Sequence, residues 1–306
     1  MIEIYYKSIR DDSFKKINEY KPGSWIHIQN ASTDELSQLE SISGIEFEHL
    51  KDSLDKYEIP RIELSDKNIL VFTRHPSEEE LGLYTVTLTI ILTELYVVTI
   101  CPQKSHVIDN ILKNNLQLAT TQKSKLLFNI LLKITQDYTN SIKRVRYAVL
   151  EQEKEIVNID SDAIILLTKN EEILNQFLTS LVPMRNLLES ILGGRFVKLY
   201  EKDYDLLQDL SIAIKQSEDY CQVNVRSIRS LRDSYQIIFT NDVNKTIKRL
   251  TAITIIFTIP TIIASVYGMN VELPFEKDPL AFMIIINIVI VLSLLSVIVF
   301  IKKKWL

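Results

Sequence analysis

Cysteine, long basic runs and glycine-rich loops are all scarce in this sequence. Its two cysteines, Cys101 and Cys221, lie far apart in different kinds of segment, which leaves no basis for a disulfide framework or a paired-thiol metal site and suits a reducing cytosol. No basic stretch is long enough to track a phosphate backbone, and the formal net charge is −4, so no nucleic-acid partner is expected. The four histidines, His27, His49, His75 and His106, show no ligand spacing, which disfavours a dedicated Zn2+ site. Also missing are a Gly-rich phosphate loop, a nucleophile elbow and a metal-hydrolase motif, which argues against an enzyme and implies no cofactor. The stretch Met1-Ile2-Glu3-Ile4-Tyr5 lacks the basic and apolar regions of a cleaved signal, so the N-terminal part is expected to stay in the cytoplasm.

Charge is absent altogether in two places. From Leu250 to Val266, and again from Leu280 to Ile301, no side chain is ionisable, and each run approaches the ~20 residues that cross a bilayer. The remainder, in a chain of 306 residues that is 46% hydrophobic, can bury a sizeable core.

Short strand-like runs come first: Trp25 to Ile28, Ile69 to Phe72, and a β-branched pair, Tyr84–Leu92 and Leu95–Ile100, that reads as a hairpin about Thr93-Glu94. Ser32-Thr33-Asp34-Glu35 reads as a helix start, and a helix over about Ser105 to Lys113 closes this part. Beyond Thr121 the apolar spacing becomes three and four, as in Leu126, Ile130 and Ile134, predicting two long antiparallel helices broken near Asn158–Ser161 and ended at Gly193-Gly194. From Asp203 no proline or glycine occurs until Pro260, so one helix can run from the cytosol into the membrane. The fold class is therefore an α+β cytosolic domain with long helices, followed by two transmembrane helices. Its expected divisions are 1–120 (cytosolic α/β domain), 121–202 (antiparallel helical pair), 203–249 (stalk helix), 250–268 (pore-lining first span), 269–279 (outer loop), 280–301 (second span) and 302–306 (basic tail).

A line of small polar residues runs down that long helix. Steps of three and four back from Gly268 visit Ser265, Thr261, Thr258, Thr254 and Thr251, and the same register continues to Ile247, Asn244, Thr240, Ile237 and Asp233. Small hydroxyl residues let membrane helices pack closely, and isolated polar residues on a helix are commonly a solvated face. The sharper reading is a pore wall. Mg2+ gives up its water reluctantly, so Thr hydroxyls and Asn carbonyls suit the task of holding it hydrated. Ile237 and Ile247 are then candidate apolar constrictions.

The turn Tyr267-Gly268-Met269-Asn270 resembles the Gly-Met-Asn signature of the CorA magnesium-channel family. It ends a span containing Pro260, follows a long uninterrupted helix, precedes an acidic loop and a second span, and the sequence finishes on Lys302-Lys303-Lys304-Trp305-Leu306. The resemblance implies a funnel-shaped homopentameric channel with a selectivity filter at Gly268, Met269 and Asn270, the asparagine contacting hydrated Mg2+ at the outer mouth. It implies that Gly268 allows a tight helix exit and that Tyr267 and Met269 hold the turn by packing. Glu272 matches an acid that concentrates cations at the outer mouth. Asn244, Thr261 and Asp233 match the family's pore positions in kind, and Asp209 matches an aspartate of its cytosolic ion-sensing pair. The partner acid is implied to come from the neighbouring subunit, with Glu78, Glu79 and Glu80 as its source. Mg2+ thus enters as cargo and as regulatory ligand. Ile247 and Thr258 depart from the family, which commonly carries bulky Met or Leu there, implying a weaker or displaced gate.

Lys245, Lys248 and Arg249 precede the first span and three lysines follow the second, whereas the connecting loop holds three acids and one lysine. The positive-inside rule puts both termini in the cytoplasm of a multi-pass protein of the cell membrane. Three readings stay open: a Mg2+ channel that also passes Co2+ or Ni2+, a Zn2+ transporter of the same architecture, and a membrane-tethered coiled-coil scaffold without transport.

Overall fold

Strand runs of alternating polarity build a sheet before the long helices begin. The computed structural model describes residues 2–79, 82–113, 118–155, 159–194, 196, 199, 201–271, 274 and 279–306. Seven strands, β1 (Ile2–Tyr6), β2 (Lys15–Ile17), β3 (Trp25–Gln29), β4 (Arg61–Ser65), β5 (Asn68–Glu79), β6 (Gly82–Leu92) and β7 (Val97–Cys101), pair in the order β2-β1-β3-β7-β6-β5-β4. Among the described residues only β3 and β7 run parallel. Side chains alternate across the pleat, so Ile26, Ile28, Leu70, Phe72, Val98 and Ile100 share one face with Leu36 and Leu39 of α1 (Thr33–Ser43) and Leu50 of α2 (Phe47–Asp52). The opposite parity carries Trp25 and His27, which both reach Thr99 Oγ1, at 2.9 and 3.0 Å. That face is closed by α3 (His106–Lys113) and α4 (Lys123–Glu155). With both faces covered, β6 is buried from Thr85 onward.

The helix start at Ser32 is a full capping box: Glu35 N–H donates to Ser32 Oγ at 3.2 Å and Ser32 N–H donates to Glu35 Oε2 at 3.0 Å. The β6–β7 hairpin is present, but its turn is four residues, 93–96, because Thr93 Oγ1 accepts the Tyr96 N–H at 2.8 Å and delays the second strand to Val97.

Helices α5 (Ser161–Leu192) and α6 (Glu201–Tyr267) follow, then α7 (Ala281–Lys302). Tyr138 of α4 meets Phe177 of α5 edge-on at 5.3 Å between ring centroids. Glu218 and Glu171, both nearly buried, accept from Arg185 and Arg229 at 2.8 Å, tying α5 to α6. On α6 the residues Leu207, Leu210, Ile214, Ser217, Cys221, Asn224 and Ile228 are buried, a seam with the three-four step of a helix packed against other helices. Gly194, at φ +69°, stands just past α5, in the left-handed conformation that ends helices. At 67 residues α6 is about 100 Å long.

The chain divides into two compact units. One comprises Met1–Val157 and Ile165–Leu231, so the sheet, α4, most of α5 and the first half of α6 belong together. The other comprises Asn158–Ile164 and Arg232–Leu306. It contains the apolar part of α6 and the whole of α7, both long and apolar enough to cross a membrane.

Candidate ion-conduction site

The second half of α6 leaves its hydroxyl line uncovered. Asp233, Ile237, Thr240, Asn244, Ile247, Thr251, Thr254, Thr258, Thr261 and Ser265 are all exposed in the single chain, the two isoleucines by 63% and 55%. Each threonine of the line disposes of its proton in the same way. Thr240, Thr251, Thr254, Thr258 and Thr261 donate to the carbonyl oxygens of Gln236, Ile247, Leu250, Thr254 and Phe257, four residues back, at 2.7–2.9 Å. A hydroxyl has one proton and two lone pairs. With the proton spent on its own helix, what it offers outward is an oxygen acceptor, the group that receives a hydrogen bond from metal-bound water.

The line also winds. A strict seven-residue repeat drifts ~20° per heptad on a straight helix, so between Ser265 and Asp233 it moves roughly a quarter-turn around α6. Copies that kept it facing a common axis would have to wrap left-handedly about one another. Helix geometry persists through Pro260, whose missing N–H leaves the carbonyl of Ile256 without its usual donor.

At the end of the span Gly268 N–H still donates to Ala264 O at 2.9 Å, and Gly268 is absent from the residues with positive φ. Its lack of a side chain spares a contact instead, since a Cβ would stand 3.3 Å from the Ala264 carbonyl oxygen. Tyr267 Oη donates to Pro274 O at 3.5 Å, while Met269 and Asn270 are exposed. Glu272 lies outside the described residues.

Asp233 pairs with its neighbour Arg232 at 3.0 Å. Asp209 is exposed on α6, away from the buried seam. Glu78, at the end of β5, accepts from Arg144 Nη2 of α4 with both carboxylate oxygens, at 2.8 and 2.9 Å, a contact between distant residues that no local pattern announces. Glu80 lies outside the described residues, as does the side chain of Glu79.

His75 and His106, which have no ligand spacing in sequence, are neighbours, their rings 5.1 Å apart. Three of their four nitrogens have partners: His75 Nδ1 is 2.9 Å from Pro76 O, its Nε2 is 3.1 Å from Ser105 Oγ, and His106 Nε2 is 3.2 Å from Asp137 Oδ2. Burial holds the His75 imidazole down to about 4. Burial alone would raise Asp137, but hydrogen bonds from His106 and Lys133 outweigh it and hold this carboxyl below its usual range. Among the described residues no three His, Cys, Asp or Glu side chains group to hold a metal ion.

The family model described as CorA-like Mg2+ transporter protein matches residues 21–303 of this chain. The cobalt/magnesium transport protein CorA of Methanocaldococcus jannaschii is 26% identical over 297 residues, covering 92% of this chain and 90% of that protein. Among solved structures, the complete CorA magnesium transporter of the same organism superposes with a TM-score of 0.80 at 24% identity, over 100% of this chain and 99% of that one. The full-length CmaX protein superposes with a TM-score of 0.74 at 16% identity, over 99% of this chain and 97% of that one.

Proposed function

The chain belongs to the CorA-like Mg2+ transporter family, and on that footing we propose that it is a membrane channel for divalent cations, carrying Mg2+ and also Co2+ or Ni2+ down their electrochemical gradient. The observation that carries this reading is the line of threonines on α6 whose protons are all turned inward, leaving acceptor oxygens on an otherwise apolar, uncovered span. A hydrated Mg2+ presents only donors, and it passes such a wall without losing its water shell. The curated relative named a cobalt/magnesium transport protein supports the choice of cargo.

One such line cannot enclose a water-filled path, so the functional unit is a parallel homopentamer in which five copies turn it toward a shared axis. Asn270 then forms the ring at the outer mouth, with Gly268 and Met269 behind it and Glu272 drawing cations in. Below it come the hydroxyl rings Ser265, Thr261, Thr258, Thr254 and Thr251, the apolar ring Ile247, then Asn244, Thr240, Ile237 and Asp233. The two isoleucine rings close the path by dewetting. Both chain termini face the cytoplasm, following the basic residues that flank the spans.

Cytosolic Mg2+ closes the channel by bridging Asp209 to an acid of the neighbouring subunit, Glu78 or Glu80. Glu78 would have to exchange its bond to Arg144 for the ion. The ion shifts the population only by its differential affinity for the closed and open states.

The test is flux into liposomes bearing the purified protein, with Mg2+, Co2+ and Zn2+ compared at equal gradients. Mg2+ and Co2+ should enter and Zn2+ should lag. Zn2+ outrunning both would reassign the cargo, and no flux of any ion would leave a tethered scaffold.

A further inference from the structure

The charges at the cytosolic ends of the two spans are more numerous, and more tightly held, than helix ends require. Lys245, Lys248 and Arg249 stand at i, i+3 and i+4 on α6 and so share one face. Ala252 continues that face and is fully buried. The face is offset by roughly one residue's rotation, about 100°, from the hydroxyl line through Asn244 and Ile247, so these cations do not point along the conduction path.

On α7 the buried residue is Phe300, at 9% exposure, two residues before Lys302. The chain then turns back on itself. Lys304 takes a left-handed φ of 57°, Trp305 N–H donates to Phe300 O at 2.9 Å, and the Trp305 ring stacks on the Phe300 ring at 5.6 Å and 25°. This closure holds Lys302, Lys303 and Lys304 around the end of the span instead of leaving them on a loose tail. All three are exposed, as are Lys248 and Arg249, and among the described residues none of these five forms an ion pair with a carboxylate; Lys245 alone is paired, with Asp242 at 2.8 Å. The C-terminal end of α7 accounts for a favourable cation or two there, not for five unpaired ones on two helices.

Two spans joined by a short connection bring these charges back to the same side of the bilayer, at the depth of the headgroups. An interfacial indole beside lysines is the composition suited to that layer. We infer that Lys248, Arg249, Lys302, Lys303 and Lys304 form a binding site for the anionic phosphate headgroups of the cytoplasmic leaflet. The site rests on the membrane placement given under Proposed function. It does not rest on transport.

Full-length protein reconstituted in vesicles of equal phosphatidylcholine and phosphatidylglycerol, then extracted in mild detergent, would be assayed for retained lipid by mass spectrometry. Each basic residue at an anionic surface favours binding by about fivefold, so phosphatidylglycerol should be retained several-fold over its share. That enrichment should collapse near ~0.5 M salt. The triple variant Lys302→Gln, Lys303→Gln, Lys304→Gln should lose most of it, and the matching triple Arg variant should keep it. Inorganic phosphate at millimolar concentration should not displace the lipid; displacement would reassign the site to free phosphate. Retention of the two lipids in their bulk ratio by the wild type, or unchanged enrichment in the Gln variant, overturns the inference. Because the readout is lipid composition, a protein that fails to conduct can still pass, and one that conducts can still fail.

Discussion

Thr258 donates its hydroxyl proton to the carbonyl oxygen of Thr254, one turn back on the same line, at 2.7 Å. Repeated at Thr251, Thr254 and Thr261, the bond turns a set of donor-acceptors into a row of acceptors in the first span. Replacing Thr258 by Val keeps the shape and removes the acceptor. Mg2+ flux should fall by about tenfold, or about 1.4 kcal/mol in total over the five copies of the ring, a few tenths of a kcal/mol for each acceptor lost to a mobile hydrated ion. Thr246 makes the same backward bond, to Asp242 O at 3.0 Å, but lies off the line. Thr246→Val should leave flux unchanged, and equal losses in the two variants would mean that the register carries no function.

The pentamer is the next expectation. Static light scattering in detergent should report five copies of the 35.5 kDa chain. A monomer or dimer would remove the enclosed path, and with it the reading of the hydroxyl line as a wall.

Asp209 is expected to act in feedback and not in permeation. In Asp209→Ala the inhibition of current by internal Mg2+ should shift to higher concentration by about tenfold, within the usual range of a coupling energy. The fully open current should be unaltered. Superimposable inhibition curves for wild type and variant would take Asp209 out of the sensor.

Acid should loosen the sheet-bearing unit in a defined window. Burial depresses both His27 and His75 to about 4, whereas an unfolded histidine titrates near 6.5. The unfolded state therefore binds more protons, and stability falls as pH drops from 6.5 toward 4, by up to roughly 3 kcal/mol per histidine. Trp25 is fully buried, and with Trp305→Phe it becomes the sole tryptophan reporter. Urea midpoints followed by its fluorescence should decrease across that window, and His75→Leu should flatten the slope. A midpoint independent of pH there would contradict the buried, neutral state of these rings.

What could be read from the sequence was local. The Ser32 capping box, the β6–β7 hairpin and the helical stretch from Asp203 to Ile259, free of proline and glycine, each follow from residues within a turn or two of one another. The hairpin turn was misjudged by two residues because a side chain, Thr93 Oγ1, substitutes for a strand hydrogen bond. Contacts between distant residues were not legible: the parallel pairing of β3 with β7, the hold of Arg144 on Glu78, and the meeting of His75 with His106 all depend on how the sheet and α4 close. For the candidate site, the register from Ser265 to Asp233 is written in the spacing. The destination of the threonine protons needed the helix itself, although a hydroxyl placed four residues beyond a helical carbonyl is a recognised competitor for it.

The most direct test pairs wild type with Asn270→Ala in liposomes at an inside-negative potential, with oligomer mass measured on the same preparations. The wild type should take up Mg2+ well above protein-free vesicles. Asn270→Ala, with its assembly intact, should fall at least about tenfold, because five carbonyl acceptors for the hydrated ion vanish together at the mouth. Equal Mg2+ uptake by correctly assembled wild type and variant would contradict the account.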